Sequence, residues 1–154
     1  MVLTALSLIS NLSEKLDVST IDSVVDILFP CVLKITMQSK RILVNEASST
    51  IMELISKTGH FVRFLPQILA GLHDKNANLR LTCCNLLNII LQQFAAKKGK
   101  REHFEKSSNF DVIEKCLLAG LGDSNNQVRT VSRDVFYCYK GLWPLRAARY
   151  SIHI

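Results

Sequence analysis

Histidine and cysteine are the residue types with which this sequence could perform nucleophilic, acid–base or metal chemistry. The four histidines stand at positions 60, 73, 103 and 153, and none is paired four residues away with another metal-ligand type. The five cysteines are odd in number and show no C-x-x-C spacing, so they indicate neither a zinc site nor a disulfide framework. The sequence also lacks the fingerprints of phosphate-binding loops, dinucleotide folds and nucleophile elbows. It therefore predicts a chain that is not an enzyme and that uses no metal or cofactor.

The cysteines are better explained as small apolar residues of a protein in a reducing compartment. We expect all five to be core residues: Cys31, Cys83, Cys84, Cys116 and Cys138. The adjacent Cys83 and Cys84 could form a redox switch. Because Cys83 falls in an apolar helical stripe, buried thiols are the favoured interpretation.

Basic residues outnumber acidic ones, 19 to 13, which gives a formal charge of +6. This balance favours an acidic partner without saying whether that partner is nucleic acid, membrane or protein. The basic run from Lys97 to Arg101 could be a nuclear-import or nucleic-acid patch. A solvated loop is the favoured interpretation of that run.

Composition favours long helices joined by short turns. Six glycines and three prolines provide little turn punctuation, while 48% of the residues are hydrophobic, so a many-stranded sandwich or a disordered chain is disfavoured. The longest charge-free run, Leu81 to Ala96, is too short and too polar to span a bilayer. The N-terminus lacks the basic region and cleavage site of a signal peptide.

A pair of amphipathic helices recurs three times along the chain. Between 60 and 96 the apolar residues keep helical spacing in two stripes, Phe61, Phe64, Leu65, Ile68, Leu69 and Leu72, then Leu79, Cys83, Leu86, Leu87, Ile90 and Phe94. A step of 36 residues backward or 49 forward meets the same pattern, and Pro30 falls on Pro66. We therefore predict repeats at about 18–58, 60–96 and 109–144, with a lone helix over 1–16 and a basic insertion at 97–108.

This repetition predicts an all-α fold, an α-solenoid of antiparallel helix pairs with about three full repeats after the leading helix. Both ends look cut, so residues 1–154 are expected to be a single, partial domain. Stacking brings the turns inside each helix pair to one edge, which becomes the candidate binding edge. Its residues are Lys40, Arg41, Lys75, Asn76, Arg80, Asn126, Arg129 and Arg133.

Cations and amides on this edge suit an acidic protein surface. No aromatic side chains are interleaved in the turns, which disfavours single-stranded nucleic acid. A structural role competes for some of the residues, because an aspartate followed six residues later by an arginine can form a ladder between repeats, as Asp74 with Arg80 or Asp123 with Arg129 would. Lys40, Arg41, Lys75 and Arg133 have no such alternative beyond a solvated face.

Three features of the sequence belong together. They are the stretch LAGLHDKNANLR ending at Arg80, the stretch GLGDSNNQVRTVSR ending at Arg133, and the aromatic-proline pair Trp143-Pro144 that follows them. Together they resemble a TOG domain of the CLASP family of microtubule regulators, over roughly residues 20–150. The pattern in which Asp, Val-Arg and Ser-Arg follow Gly-Leu is more specific than the sequence pattern of a generic HEAT repeat.

The resemblance implies HEAT repeats whose intra-repeat loops bind the αβ-tubulin heterodimer, and no nucleic-acid or membrane partner. It also implies stabilisation of microtubules at plus ends, spindle and kinetochores, contact with other proteins there, and a location on the cytoskeleton and spindle, in the cytoplasm and in the nucleus. By position, the third, fourth and fifth loops of the family would contain Lys40 and Arg41; Lys75, Asn76 and Arg80; and Asn126, Arg129 and Arg133.

The sequence departs from this pattern where Val44 replaces the basic group found at Arg80 and Arg129. The loop that usually carries an aromatic anchor would lie upstream of Met1, and Trp143 closes a helix and cannot replace that anchor. The alternative interpretation is a HEAT-type scaffold or cargo adaptor, of importin or phosphatase-scaffold kind, that holds another acidic protein.

Overall fold

The computed structural model describes residues 1–58, 61–96 and 109–153. The basic insertion predicted at 97–108 lies outside these residues. Within the described part every regular element is a helix and no strand occurs, which confirms the all-α prediction. The α-helices are α1 (Val2–Lys15), α2 (Val18–Ile35), α3 (Arg41–Lys57), α4 (Leu65–Leu72), α5 (Ala77–Ala96), α6 (Asn109–Leu121), α7 (Asn126–Leu142) and α8 (Pro144–Ala147), with 3₁₀ turns at Phe61–Phe64 and Ala148–His153.

The chain forms two compact units, which are Met1–Phe61 and Val62–Ile154. In the first unit, α1 and α2 both pack against α3. The buried residues of α2 keep helical spacing, with Ile21, Val25 and Phe29 in one stripe. The lone leading helix and the first helix pair therefore fall where the apolar periodicity predicts them.

In the second unit, α4 packs on α5 and α6 packs on α7, so two helix pairs follow each other. Contacts between α4 and α6 and between α5 and α7 join the two pairs side by side. Such packing of successive helix pairs is the arrangement predicted for a HEAT-like solenoid. The exact repeat boundaries and the partial nature of the domain remain predictions.

The first helix of the second pair is shorter than its apolar stripe suggests. The stripe begins at Phe61, but residues 61–64 form a 3₁₀ turn and the α-helix begins at Leu65. Pro66 explains this start, because it has no N–H to donate to the carbonyl of Val62 and its ring fits the first helical turn. The equivalent Pro30 is tolerated inside α2, where a long amphipathic segment precedes it.

Glycine permits close contact within each pair of the second unit. A Cβ added at Gly71 would lie 2.4 Å from Cys83 Sγ, and one added at Gly120 would lie 2.1 Å from Ser132 Oγ. Gly71 and Gly120 are equivalent positions of the repeat, as are Cys83 and Ser132. Both helix pairs therefore join through the same small-residue contact.

The cysteines divide into two groups. Cys83, Cys84 and Cys116 are buried, as predicted, and burial raises the pKa of the Cys84 thiol to about 11 and that of Cys116 to about 12, so both stay protonated at neutral pH. The prediction is wrong for Cys31, which is exposed, while Cys138 is half-buried. Cys31 lies about a quarter turn around α2 from the buried Val32, outside the apolar stripe.

Candidate binding surface on the intra-repeat turns

The turn between α4 and α5 is built by side chains that bind backbone. Asp74 Oδ1 accepts a hydrogen bond from the Asn76 N–H at 2.8 Å. Asn76 Oδ1 in turn accepts from the N–H groups of Asn78 and Leu79, at 3.0 and 3.2 Å. Asn76 therefore caps the start of α5, and its carbonyl oxygen is engaged by backbone.

The turn between α6 and α7 repeats this construction. Asp123 Oδ1 accepts from the Asn125 N–H at 2.7 Å, and Asn125 Oδ1 accepts from Gln127 and Val128 N–H at 2.8 and 3.3 Å. The capping residue is thus Asn125, the repeat equivalent of Asn76. Asn126, the residue predicted for the binding edge, is exposed at the first position of α7.

Arg80 connects the two turns. Its Nε and Nη2 donate to the Asp123 carboxylate at 2.6 and 3.1 Å, and its Nη1 donates to the Asp74 and Lys75 carbonyls at 2.9 and 3.0 Å. The Arg80 and Asp123 side chains are only 13% and 5% exposed. This is the ladder between repeats considered in the sequence analysis, and it makes Arg80 a positioning residue of the surface.

The charge states of this pair follow from its geometry. Burial alone would raise the pKa of Asp123, but hydrogen bonds from Arg80 and from the Asn125 N–H outweigh it, so the pKa lies below its ordinary value. The hydrogen bond to Asp123 raises the pKa of Arg80. Both groups are therefore fully charged at neutral pH.

Arg129 repeats the contacts that Arg80 makes with the backbone of its own turn. Its Nη1 donates to the Asp123 and Ser124 carbonyls at 2.7 and 2.9 Å, as Arg80 does to Asp74 and Lys75. Its Nη2 lies 3.3 Å from Asn126 Oδ1. Arg129 is half-buried, and no ion pair to it occurs within the described ranges.

The remaining edge residues of the second unit, Lys75 and Arg133, are exposed. In the residues that the structure describes, neither side chain forms a hydrogen bond or an ion pair. Lys75 lies in the same turn as Asn76, and Arg133 lies one helical turn beyond Arg129. The second unit thus contains six of the predicted residues, in the two linked turns or on the helices that follow them: Lys75, Asn76, Arg80, Asn126, Arg129 and Arg133.

The first unit carries the other two predicted residues. Lys40 precedes α3 and Arg41 is its first residue, and both are exposed. No side-chain hydrogen bond caps this helix. Val44, which stands in the place of Arg80 and Arg129, is buried. The turn therefore lacks both the asparagine cap and the arginine of the two later turns.

A buried charge cluster closes the second unit, and sequence reasoning missed it. Glu114 is 7% exposed and accepts hydrogen bonds from Tyr139 Oη at 2.6 Å, Arg146 Nε at 2.8 Å and Tyr150 Oη at 2.7 Å. Burial would raise the pKa of Glu114, but these three hydrogen bonds lower it overall. The available signal was a carboxylate on an apolar stripe, between Phe110 and Leu117.

Arg146 also packs over an aromatic ring, with its guanidinium carbon 4.3 Å from the centre of the Phe110 ring. Trp143 meets Phe110 edge to face at 5.0 Å. Trp143 is therefore a core residue that closes the last pair, which agrees with its exclusion as a binding anchor.

Metal-ion clusters and membrane-spanning helices were looked for among the described residues only. No group of three or more histidine, cysteine or acidic side chains there is arranged to hold a metal ion. Nor does any described helix combine the length and the hydropathy that crossing a membrane requires.

The helix pairs and their ladder define a HEAT-type helical repeat protein. Comparison with known families is more specific: residues 1–151 match the family described as CLASP N terminal. The chain is 32% identical over 126 residues to Protein STU1 of Chaetomium globosum and to Protein stu-1 of Neurospora crassa, and 29% identical over 126 residues to Protein peg1 of Schizosaccharomyces pombe. Each match covers 82% of this chain.

The chain therefore belongs to the CLASP N-terminal family, which confirms the resemblance found in the sequence. It spans 11% of the length of the first two of these relatives and 8% of the third.

Proposed function

We propose that this chain is a noncatalytic tubulin-binding module of a CLASP-like microtubule regulator. Family membership supports a role in stabilising microtubules, on the spindle, at plus ends and at kinetochores. The same membership favours a location on the cytoskeleton in the cytoplasm and on the mitotic spindle, with access to the nucleus. The binding partner in this proposal is the αβ-tubulin heterodimer.

The proposal is supported chiefly by a difference among the cations of the second unit: one is ion-paired, and others are exposed. Arg80 forms an ion pair with the Asp123 carboxylate, whereas Lys75 and Arg133 are exposed. Asparagine caps and the Arg80–Asp123 pair hold the two turns in place. Exposed cations are complementary to an acidic protein surface. Because the turns are already held in place, little conformational entropy of the backbone is lost on binding.

Lys40 and Arg41 are proposed to contribute from the first unit. Both are exposed at the start of α3, and their charge is not neutralised by an ion pair within the described residues. Their contribution is separable from that of the second unit, because each pair of cations can be reversed independently.

Reversing the charges of Lys75 and Arg133 tests the proposal. The Lys75→Glu/Arg133→Glu variant is expected to bind labelled αβ-tubulin at least about 10-fold more weakly in a thermophoresis titration, since favourable charge pairs become repulsive. Lys115→Glu is the matched control, because Lys115 is an exposed cation on α6, away from the turns.

Unchanged affinity of the double variant, with its circular dichroism spectrum intact, would remove the turns from the binding site. If the wild-type chain did not bind tubulin but bound another acidic protein through Lys75 and Arg133, the scaffold or adaptor alternative would replace the proposal.

A further inference from the structure

The outer side of α7 differs from the equivalent side of α5. In the repeat, Cys84, Asn88 and Leu91 of α5 correspond to Arg133, Tyr137 and Lys140 of α7, with a constant offset of 49 residues. Each trio keeps the spacing i, i+4, i+7, so its members share one helix face. We call Arg133, Tyr137 and Lys140 the outer stripe of α7.

The α5 face is buried at Cys84 and Leu91 and half-buried at Asn88. Cys84 Sγ lies 3.2 Å from Ser132 Oγ of α7, and Cys84 is 2% exposed. Leu91, two helical turns further along the same side, is fully buried. This is the side of α5 against which α7 packs.

The outer stripe of α7 is exposed and charged. Arg133 and Lys140 stand where α5 has the buried Cys84 and Leu91, and Tyr137 is 60% exposed. Burying two unpaired cations against another helix, as α5 buries its face, would be costly. The stripe is therefore suited to a partner that brings carboxylates, and unsuited to the apolar packing seen on α5.

We propose that the outer stripe of α7 docks an acidic segment of the partner, with Tyr137 as its aromatic anchor. This inference rests on the proposed function and extends its site from the turn at Arg133 along α7 to Lys140. The stripe is about 10 Å long, the rise of seven helical residues. Carboxylates meet Arg133 and Lys140 at its two ends, and an apolar group covers the Tyr137 ring between them.

Local geometry prepares Tyr137 for this role. Its ring meets the buried Phe136 ring edge to face at 6.2 Å, and a tyrosine loses little side-chain entropy on binding. Gly141, one helical turn beyond Tyr137, has no atoms within 4 Å of the position a Cβ would take, so a partner side chain has room beside the ring. Asp134 is also exposed next to the stripe, and the stripe keeps a net positive charge.

Single substitutions in the stripe test the inference with αβ-tubulin as the probe. We expect Tyr137→Ala and Lys140→Glu each to weaken binding about 5- to 10-fold in a thermophoresis titration, and Tyr137→Phe to retain wild-type affinity. The matched controls lie on α6, where Leu118→Ala removes an exposed apolar side chain and Lys115→Glu reverses an exposed cation. All these positions are exposed, so circular dichroism should show unchanged folding.

Contact itself is tested by placing a photo-crosslinking benzophenone residue at position 137 and, as a control, at position 118. Crosslinking to tubulin from position 137 alone is the expected result. If Tyr137→Ala and Lys140→Glu bind like the wild type while Lys75→Glu/Arg133→Glu is weakened, this inference fails and the proposed function stands. If the wild-type chain fails to bind tubulin, both fail together.

Discussion

Two arginines of the predicted binding edge, Arg80 and Arg133, have different surroundings in this fold. Arg80 donates to a carboxylate and to two carbonyls, while Arg133 is exposed without an ion pair among the described residues. Arg80→Ala leaves the Asp123 carboxylate without its main partner in a site that is 5% exposed. We expect it to lower the free energy of unfolding by about 2–3 kcal/mol, measured by urea denaturation.

Arg133→Ala is the matched substitution, and we expect it to change that free energy by less than about 0.5 kcal/mol. Equal losses of stability in the two variants would contradict the separation of structural from binding arginines.

The Arg80–Asp123 pair also predicts a pH dependence of stability. Because the pKa of Asp123 is lowered by folding, the pair contributes fully above the unfolded value of about 3.9, and its contribution is lost as pH falls below that value toward the folded pKa. The free energy of unfolding of Asp123→Asn should therefore lie below that of the wild type at pH 7. The gap should narrow as pH falls below about 4. A gap that stays constant down to pH 3 would contradict the lowered pKa.

At the scale of helices, the second unit depends on glycine at the contact between paired helices. Gly120→Ala would place a methyl group 2.1 Å from Ser132 Oγ and 3.0 Å from Ser132 Cβ, so the Ser132 hydroxyl must move away and the contact between the helices must loosen by a few tenths of an ångström. We expect a loss of about 1–3 kcal/mol in the free energy of unfolding, measured by urea or thermal denaturation.

Gly141→Ala supplies the control on α7, since nothing lies within 4 Å of the added group. It should stabilise the helix by about 0.5 kcal/mol. Adding Ser132→Gly should restore most of the stability lost in Gly120→Ala, and a failure to do so would mean that the clash is not the cause.

How far the elements could be predicted depends on the kind of signal. Apolar periodicity records which face of a helix is buried, so the helix pairs and the buried Cys83 were predictable. The exposure of Cys31 was not predictable from composition, because composition does not show on which side of a helix a residue lies.

The same limit applies to the polar turns. Their residues were identified, but the sequence does not show which asparagine caps a helix. Asn126 was predicted for the binding edge, and the structure shows that its neighbour Asn125 makes the capping bonds. Glu114 was missed because its partners Tyr139, Arg146 and Tyr150 come from later segments, and only tertiary packing brings them together.

The chain as a whole combines helical repeats with an excess of basic over acidic residues. Its formal charge of +6 predicts attraction to an acidic partner, and in the function we propose that partner is tubulin. Electrostatic attraction of exposed charges weakens as salt screens them, over a distance of about 8–10 Å at physiological ionic strength. Binding through the turns should therefore weaken as salt is raised.

Binding of tubulin through Lys75 and Arg133 is tested by a titration of labelled αβ-tubulin with the wild-type chain and with Lys75→Glu/Arg133→Glu, at about 0.05 and 0.2 M salt. We expect saturable wild-type binding that weakens at the higher salt and is at least about 10-fold weaker in the variant at low salt. Wild-type and variant curves that superimpose at both salt concentrations, with both proteins folded, would contradict it.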